Sequence, residues 1–178
     1  MYALSPVPAG RCIRMRPTAA NQCYAISELV RPWEVAGLIQ NVPEWLLPEG
    51  HTLAASVAAW LRTQFGTRRL RYIPDPARPF GYDYWCAPSA TLERGGGDCD
   101  DLAILAASLL LAGGVDARVV VGTVRQGRRI AGHAWVEGVD EHGGFLMEAT
   151  SGRLIWHLRP AEYHANVRLG PGCCELAA

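Results

Sequence analysis

The run LAILAASLLLA at residues 102–112 constrains this chain most, because every side chain in it is apolar or small. A helix that is apolar all round has no solvent face and must be buried, so the expectation is a central helix covered on every side. The run is too short to cross a bilayer. Its boundaries carry helix signals. Asp98 stands at a capping position, Asp101 follows three residues on as in a capping box, and Gly113-Gly114 supplies the stop.

A buried helix requires elements to cover it, and the rest of the chain supplies them. At 178 residues the chain is one domain by length. HTLAASVAAWLRTQFG places Leu53, Val57, Trp60, Leu61 and Phe65 at helical spacing, with Thr52 as N-cap and Gly66 as stop. RLRYI reads as a short extended piece, the segment from Pro74 to Pro88 as a loop, and SATLERG as one or two helical turns. Downstream, ARVVVGTV, IAGHAWVE, GFLMEAT and RLIWHL read as strands, with RQGRR as a turn and GVDEHGG as a loop. Helices first and an antiparallel meander after them define an α+β domain. Residues 1–48 hold six of the twelve prolines. They read as an irregular arm with short elements at 12–16 and 25–30, packed through Trp33, Trp45, Leu46 and Leu47 onto a domain at 49–178.

Composition narrows the function. The 17 basic residues, all Arg, balance 17 acids, so nothing in the total charge favours nucleic acid or an anionic membrane. No lysine is available as a base or for a Schiff base. The N-terminal MYALSPVPAG lacks the pattern of a secretory signal, so the expected compartment is the cytoplasm. The six cysteines form no CxxC pair for zinc and no disulfide framework, so reduced thiols are expected, with Cys173-Cys174 a mobile exposed pair.

One of those cysteines has a chemical setting. Cys99 falls in the first turn of the buried helix, where unpaired backbone N–H groups and the helix dipole favour a thiolate. Three glycines before it let the backbone approach a substrate. A nucleophilic thiol needs a base, and the base needs an acceptor to orient it. His133 and Glu148 lie on successive strands. With Trp135 opposite Leu146, His133 would face Glu148 directly, with Cβ atoms about 5 Å apart. Asp140 and Glu141 are alternative acids, less well placed in the loop. Asp98, Asp100 and Asp101 crowd the thiol with negative charge that something must offset. Either capping, backbone donors and an Arg such as Arg94 do so, or a Ca2+ ion held by the three carboxylates does.

With these residues in view, GDCDDLAILAASLLLAGGVDARVVVG followed by GHAWVE and FLMEAT resembles the transglutaminase-like superfamily over roughly residues 52–150. The segment DYWCAPSATLERGGGDCDD resembles its bacterial cysteine peptidases. The resemblance implies a papain-like arrangement, a Cys-bearing buried helix packed on a small antiparallel sheet. It implies Cys99 as nucleophile, His133 as base and then acid, and Glu148 as orienting carboxylate where the family usually has Asp. It implies an oxyanion hole from the Cys99 backbone N–H, helped by Tyr84 or Trp85, with Trp135 walling the site or lying in the core. It implies calcium as an option and no required cofactor. The expected reaction is amide cleavage of a peptide or protein through a thioester. Protein-glutamine transamidation, a non-catalytic role in an assembly such as a phage particle with residues 1–48 as the docking arm, and a papain-type cell-wall amidase are the alternatives.

Overall fold

The structure, a computed structural model, describes residues 12–15, 23–39, 51–75, 83–156 and 161–177. The apolar run forms α5 (Cys99–Ala112), and residues 100–110 are all buried. Around it stand α1 (Cys23–Ser27), a 3-10 turn (Pro32–Glu34), α2 (Ala36–Ile39), α3 (Leu53–Gly66) and α4 (Pro88–Arg94). Thr52 caps α3 as expected, its Oγ1 accepting from the Ala55 N–H at 3.2 Å.

A six-stranded antiparallel sheet covers α5. Its strands are β5 (Asp116–Gln126), β6 (Arg129–Asp140), β7 (Gly143–Glu148), β8 (Arg153–Trp156), β9 (Tyr163–Gly170) and β10 (Cys173–Leu176). The spatial order is β10-β9-β5-β6-β7-β8. The meander is as expected. The two C-terminal strands are not, although Tyr163, Ala165, Val167 and Leu169 alternate with polar residues at strand period. Two small pairings complete the fold: β1 (Cys12–Met15) with β3 (Asp83–Cys86), antiparallel, and β2 (Arg71–Tyr72) with β4 (Gly96–Gly97), parallel.

Alternate strand residues point to opposite faces. Ala117, Val119, Ala134, Val136, Phe145, Met147 and Leu169 join the main core with α5. Val120, Val124, Trp135 and Leu146 form a second, smaller cluster with Ile155, Tyr163 and Ala165. Each fully buried leucine of α5 contributes about 2–3 kcal/mol through removal from water, which is why the run tolerates no charge.

Several expectations need correction. The sheet pairs Glu137 with Leu146 and Val136 with Met147, so the register is two residues away from one with Trp135 opposite Leu146. The loop GVDEHGG is mostly strand; the connection is only Glu141-His142, closed by the pair Asp140↔Gly143, with Asp140 Oδ1 accepting from the His142 N–H at 2.9 Å. A tight connection of this kind sets register. The cysteines are not all reduced. Cys12 is joined to Cys86 and Cys23 to Cys174, leaving Cys99 and Cys173 free. Spacing in sequence could not reveal this, because the pairs lie 74 and 151 residues apart. In the N-terminal segment Leu29, Val30 and Val35 enter the main core. Trp33 does not; it is 67% exposed. Trp45, Leu46 and Leu47 lie outside the described residues.

Candidate active site

Cys99 occupies the first position of α5, where the backbone N–H has no carbonyl partner within the helix. The glycines before it have structural duties of their own. Gly95 ends α4 in the left-handed conformation, with φ of 70°. A Cβ on Gly96 would stand 1.9 Å from the Arg71 carbonyl oxygen, and one on Gly97 would stand 2.2 Å from Asp101 Oδ2. Each glycine thus has a structural reason: Gly95 the end of α4, Gly96 the approach of β2, and Gly97 the Asp101 carboxylate.

His133, on β6, is brought beside Cys99, whose thiol is among the groups that act on its pKa. Its Nε2 lies 2.8 Å from Glu148 Oε2, on β7. Because the register is offset, this contact is diagonal rather than directly cross-strand. The offset of two preserves parity, so both side chains still share a face. Burial alone would lower the His133 pKa. The Cys99 thiol and the hydrogen-bonded Glu148 carboxylate, with their charges, outweigh it and raise it to about 9. Glu148 moves the other way. Burial would raise it, but its interactions with His133 and Tyr163 lower it from its ordinary value. Asp140 and Glu141, the alternative acids, sit at the β6–β7 connection.

Tyr163, on β9, is the residue that sequence reading missed. Its hydroxyl donates to Glu148 Oε1 at 2.5 Å. Its ring meets Trp135 edge-to-face, with centroids 5.2 Å apart. Trp135 in turn stacks beside His133 at 6.2 Å. Trp135 is fully buried and its Nε1–H donates to Glu137 Oε1 at 3.1 Å, so it is a packing residue behind the histidine.

Of the two upstream aromatics, Trp85 is placed differently from the expectation. Trp85 is buried in the main core, and its Nε1–H is given to Asp83 Oδ2 at 3.0 Å, so no indole N–H is left for an oxyanion. The Tyr84 backbone N–H donates to Asp75 Oδ2 at 2.9 Å. Tyr72 is the aromatic exposed near the thiol. Burial and then the charges of Cys99, Asp98 and Asp100 raise its phenol pKa.

The three acids around Cys99 separate. Asp101 accepts from the Cys86 backbone N–H at 2.7 Å and from Arg94 Nη1 at 3.2 Å. It thus joins α5 to β3 and α4 instead of closing a capping box. Burial and the neighbouring Asp98 charge still raise it to about 7. Asp98 occupies the cap position but makes no cap hydrogen bond. Burial, then Asp98, holds the Asp100 carboxyl well above its usual range. The Oδ1 atoms of Asp98 and Asp100 are buried without a hydrogen-bond partner among the described residues. Asp98 has a second set of neighbours. Its carboxylate and those of Asp75 and Asp83 offer oxygens within 4.8 Å of one another.

A buried helix led by a free thiol, with a histidine and a carboxylate brought to it by adjacent strands, defines the papain-like class of fold. The chain belongs to the transglutaminase-like superfamily, whose family model matches residues 42–147. Among solved structures it is similar to Legionella pneumophila LapG, with a TM-score of 0.55 and 18% identity over 83% of this chain and 88% of that one. The calcium-bound form of LapG gives a TM-score of 0.50 at 17% identity, with the same coverage. A Cytophaga hutchinsonii protein provisionally assigned to the cysteine proteases gives 0.52 at 14% identity, covering 78% of this chain and 49% of that one. Among curated proteins, the centrosomal protein of 76 kDa from Mus musculus is 50% identical over 76 residues, 42% of this chain. The human protein is 48% identical over 54 residues. The chain spans only about a tenth of the length of these curated relatives.

Proposed function

We propose that this chain is a thiol-dependent acyl-transfer enzyme, a cysteine peptidase or amidase. The observation that carries this reading is His133, with Nε2 2.8 Å from Glu148 Oε2 and the Cys99 thiol among its neighbours. With Nε2–H given to Glu148, Nδ1 remains for the sulfur. The Cys99 thiolate attacks an amide carbonyl and forms a C–S bond, while the backbone N–H at the start of α5 faces the developing oxyanion. The His133 imidazolium gives its proton to the leaving amine as the C–N bond breaks. Water, deprotonated by His133, then attacks the thioester, and the thiol leaves. An amine in place of water would make the reaction a transamidation. Glu148 stays ionised and holds the imidazole orientation. The expected substrate is a peptide or protein.

The test is trapping. Wild type should form a thioester or thiol adduct on Cys99 with an activated peptide ester, and Cys99→Ala should form none. Turnover that persists in Cys99→Ala would refute the reading. Release of acid with water alone favours hydrolysis, and incorporation of an added amine favours transamidation. Cleavage of peptidoglycan on a zymogram would favour the cell-wall amidase. An undiminished biological role in Cys99→Ala would favour an assembly component, docked through residues 1–48.

Calcium is a second reading, supported by the unpartnered buried oxygens beside Cys99 and by likeness to a calcium-bound LapG. The expected set Asp98, Asp100 and Asp101 is not the one that fits, since Asp101 is committed to Arg94 and Cys86. Asp75, Asp83 and Asp98 offer three hard oxygens, the donors calcium prefers. An ion there would offset negative charge near the thiol. The compartment is also part of this reading. Two disulfide pairs support an oxidising environment over the cytoplasm.

A further inference from the structure

We propose that Tyr163 is a positioning residue, which fixes the Glu148 carboxylate so that it holds His133 toward Cys99. The inference rests on the reading of Cys99, His133 and Glu148 given above. A glutamate has three side-chain torsions, and a single hydrogen bond to a histidine leaves the carboxylate free to swing about that contact. Glu148 is held at both oxygens. Oε2 meets His133 at 2.8 Å, and Oε1 accepts from the Tyr163 hydroxyl at 2.5 Å. Two partners on opposite oxygens fix the plane of the carboxylate as well as its position.

Tyr163 is itself fixed from the side. Its ring meets the buried Trp135 ring edge-to-face at 5.2 Å, with planes 77° apart. Trp135 lies beside His133, with ring centroids 6.2 Å apart. One tyrosine thus touches both groups that flank the histidine, the acid through its hydroxyl and the indole through its ring. The strand that carries it pairs with β5 rather than with β6 or β7, so it adds a support independent of the hairpin bearing His133 and Glu148.

The experiment is a double-mutant cycle with two readouts. Site-resolved mass spectrometry gives the rate of Cys99 alkylation by iodoacetamide, with Cys173 as internal reference. Proton NMR follows the exchange-protected low-field signal of the His133 ring N–H bound to Glu148. Tyr163→Phe keeps the ring against Trp135 and removes only the hydroxyl. It should slow Cys99 alkylation about tenfold, leave Cys173 unchanged, and broaden or shift the His133 signal. In a Glu148→Gln background, Tyr163→Phe should cost nothing further, because its route of action is already cut. The proposal is overturned if Tyr163→Phe alkylates at the wild-type rate with an unmoved His133 signal, or if it costs as much in the Glu148→Gln background as in the wild type. A Glu148→Gln protein that alkylates like wild type overturns it too. If wild-type Cys99 reacts no faster than Cys173, the nucleophile reading fails instead, and the His133 signal still decides whether Tyr163 holds Glu148.

Discussion

His133 on β6 and Glu148 on β7 meet diagonally, Nε2 to Oε2 at 2.8 Å, although they are not direct partners in the sheet register. Their pKa values move apart in a way that stability should record. The His133 pKa rises from the ordinary 6.5 to about 9. A raised base contributes its full stabilisation below pH 6.5 and loses it as pH climbs through 9. Glu148, lowered from 4.5, contributes above that value and loses it as pH falls. Melting temperature against pH should therefore decline on both sides of a plateau between 4.5 and 6.5. In Glu148→Gln the folded-state pKa of His133 falls back toward 6.5, so the alkaline decline should still begin there but end at lower pH and be smaller. An alkaline limb identical to wild type would contradict the pairing.

The Asp101 carboxylate, 1% exposed, ties three elements together. Asp101→Ala leaves the Cys86 N–H and Arg94 without their acceptor and should cost about 2 kcal/mol in urea unfolding. Asp101→Asn keeps Oδ1 for the backbone donor and should cost less than half as much. Equal losses would mean that Arg94, not the backbone bond, carries the effect.

Gly97→Ala introduces a methyl group 2.2 Å from Asp101 Oδ2. The overlap should cost about 1–3 kcal/mol and lower Cys99 alkylation, since Cys99 follows two residues on. Unchanged stability and reactivity together would show that the loop before α5 is not tightly specified.

Calcium, if held by Asp75, Asp83 and Asp98, should raise the melting temperature in proportion to the logarithm of its concentration. Magnesium, which demands a smaller and more regular shell, should do less. Asp75→Asn should remove the calcium response without removing the free Cys99 thiol. A melting temperature indifferent to calcium and to chelator in the wild type would end that reading.

The Cys23–Cys174 pair joins α1 to β10 across 151 residues. Closing so long a loop restricts the unfolded chain, so Cys23→Ser should lower stability by about 2–5 kcal/mol, measured under oxidising conditions. The same substitution under strong reductant should change little.

What the sequence disclosed follows the range of each signal. The apolar run of α5, the Thr52 cap and the alternating strands β5 to β8 are local patterns, and each was legible. His133 and Glu148 were legible as a set because a Cys on a helix, a His and an acid on successive strands repeat a known chemical logic. Their register was not, because a two-residue connection and a longer loop predict different partners from the same hydrophobic alternation. Tyr163 and the two disulfide pairs were hidden for another reason. Tyr163 and Cys174 reach their partners only because the C-terminal strands fold back beside β5 and α1, and the Cys12–Cys86 pair needs β1 laid against β3. Nothing near any of these residues in sequence announces the distant partner. The acids around Cys99 were visible as a cluster. Only the fold separated Asp101, which stitches β3 to α5, from Asp98, which turns toward Asp75 and Asp83.

The placement of β9 has a consequence in time. The thiol lies in α5, the histidine and the acid follow on β6 and β7, and the tyrosine that fastens the acid comes last, on a strand that must cross to the far side of β5. A ribosome makes these parts in that order, and N-terminal portions of a chain begin folding before the rest is made. A nascent chain that has reached β5 therefore already carries Cys99 but neither His133 nor Glu148. The four side chains come together only once β9 has been synthesised.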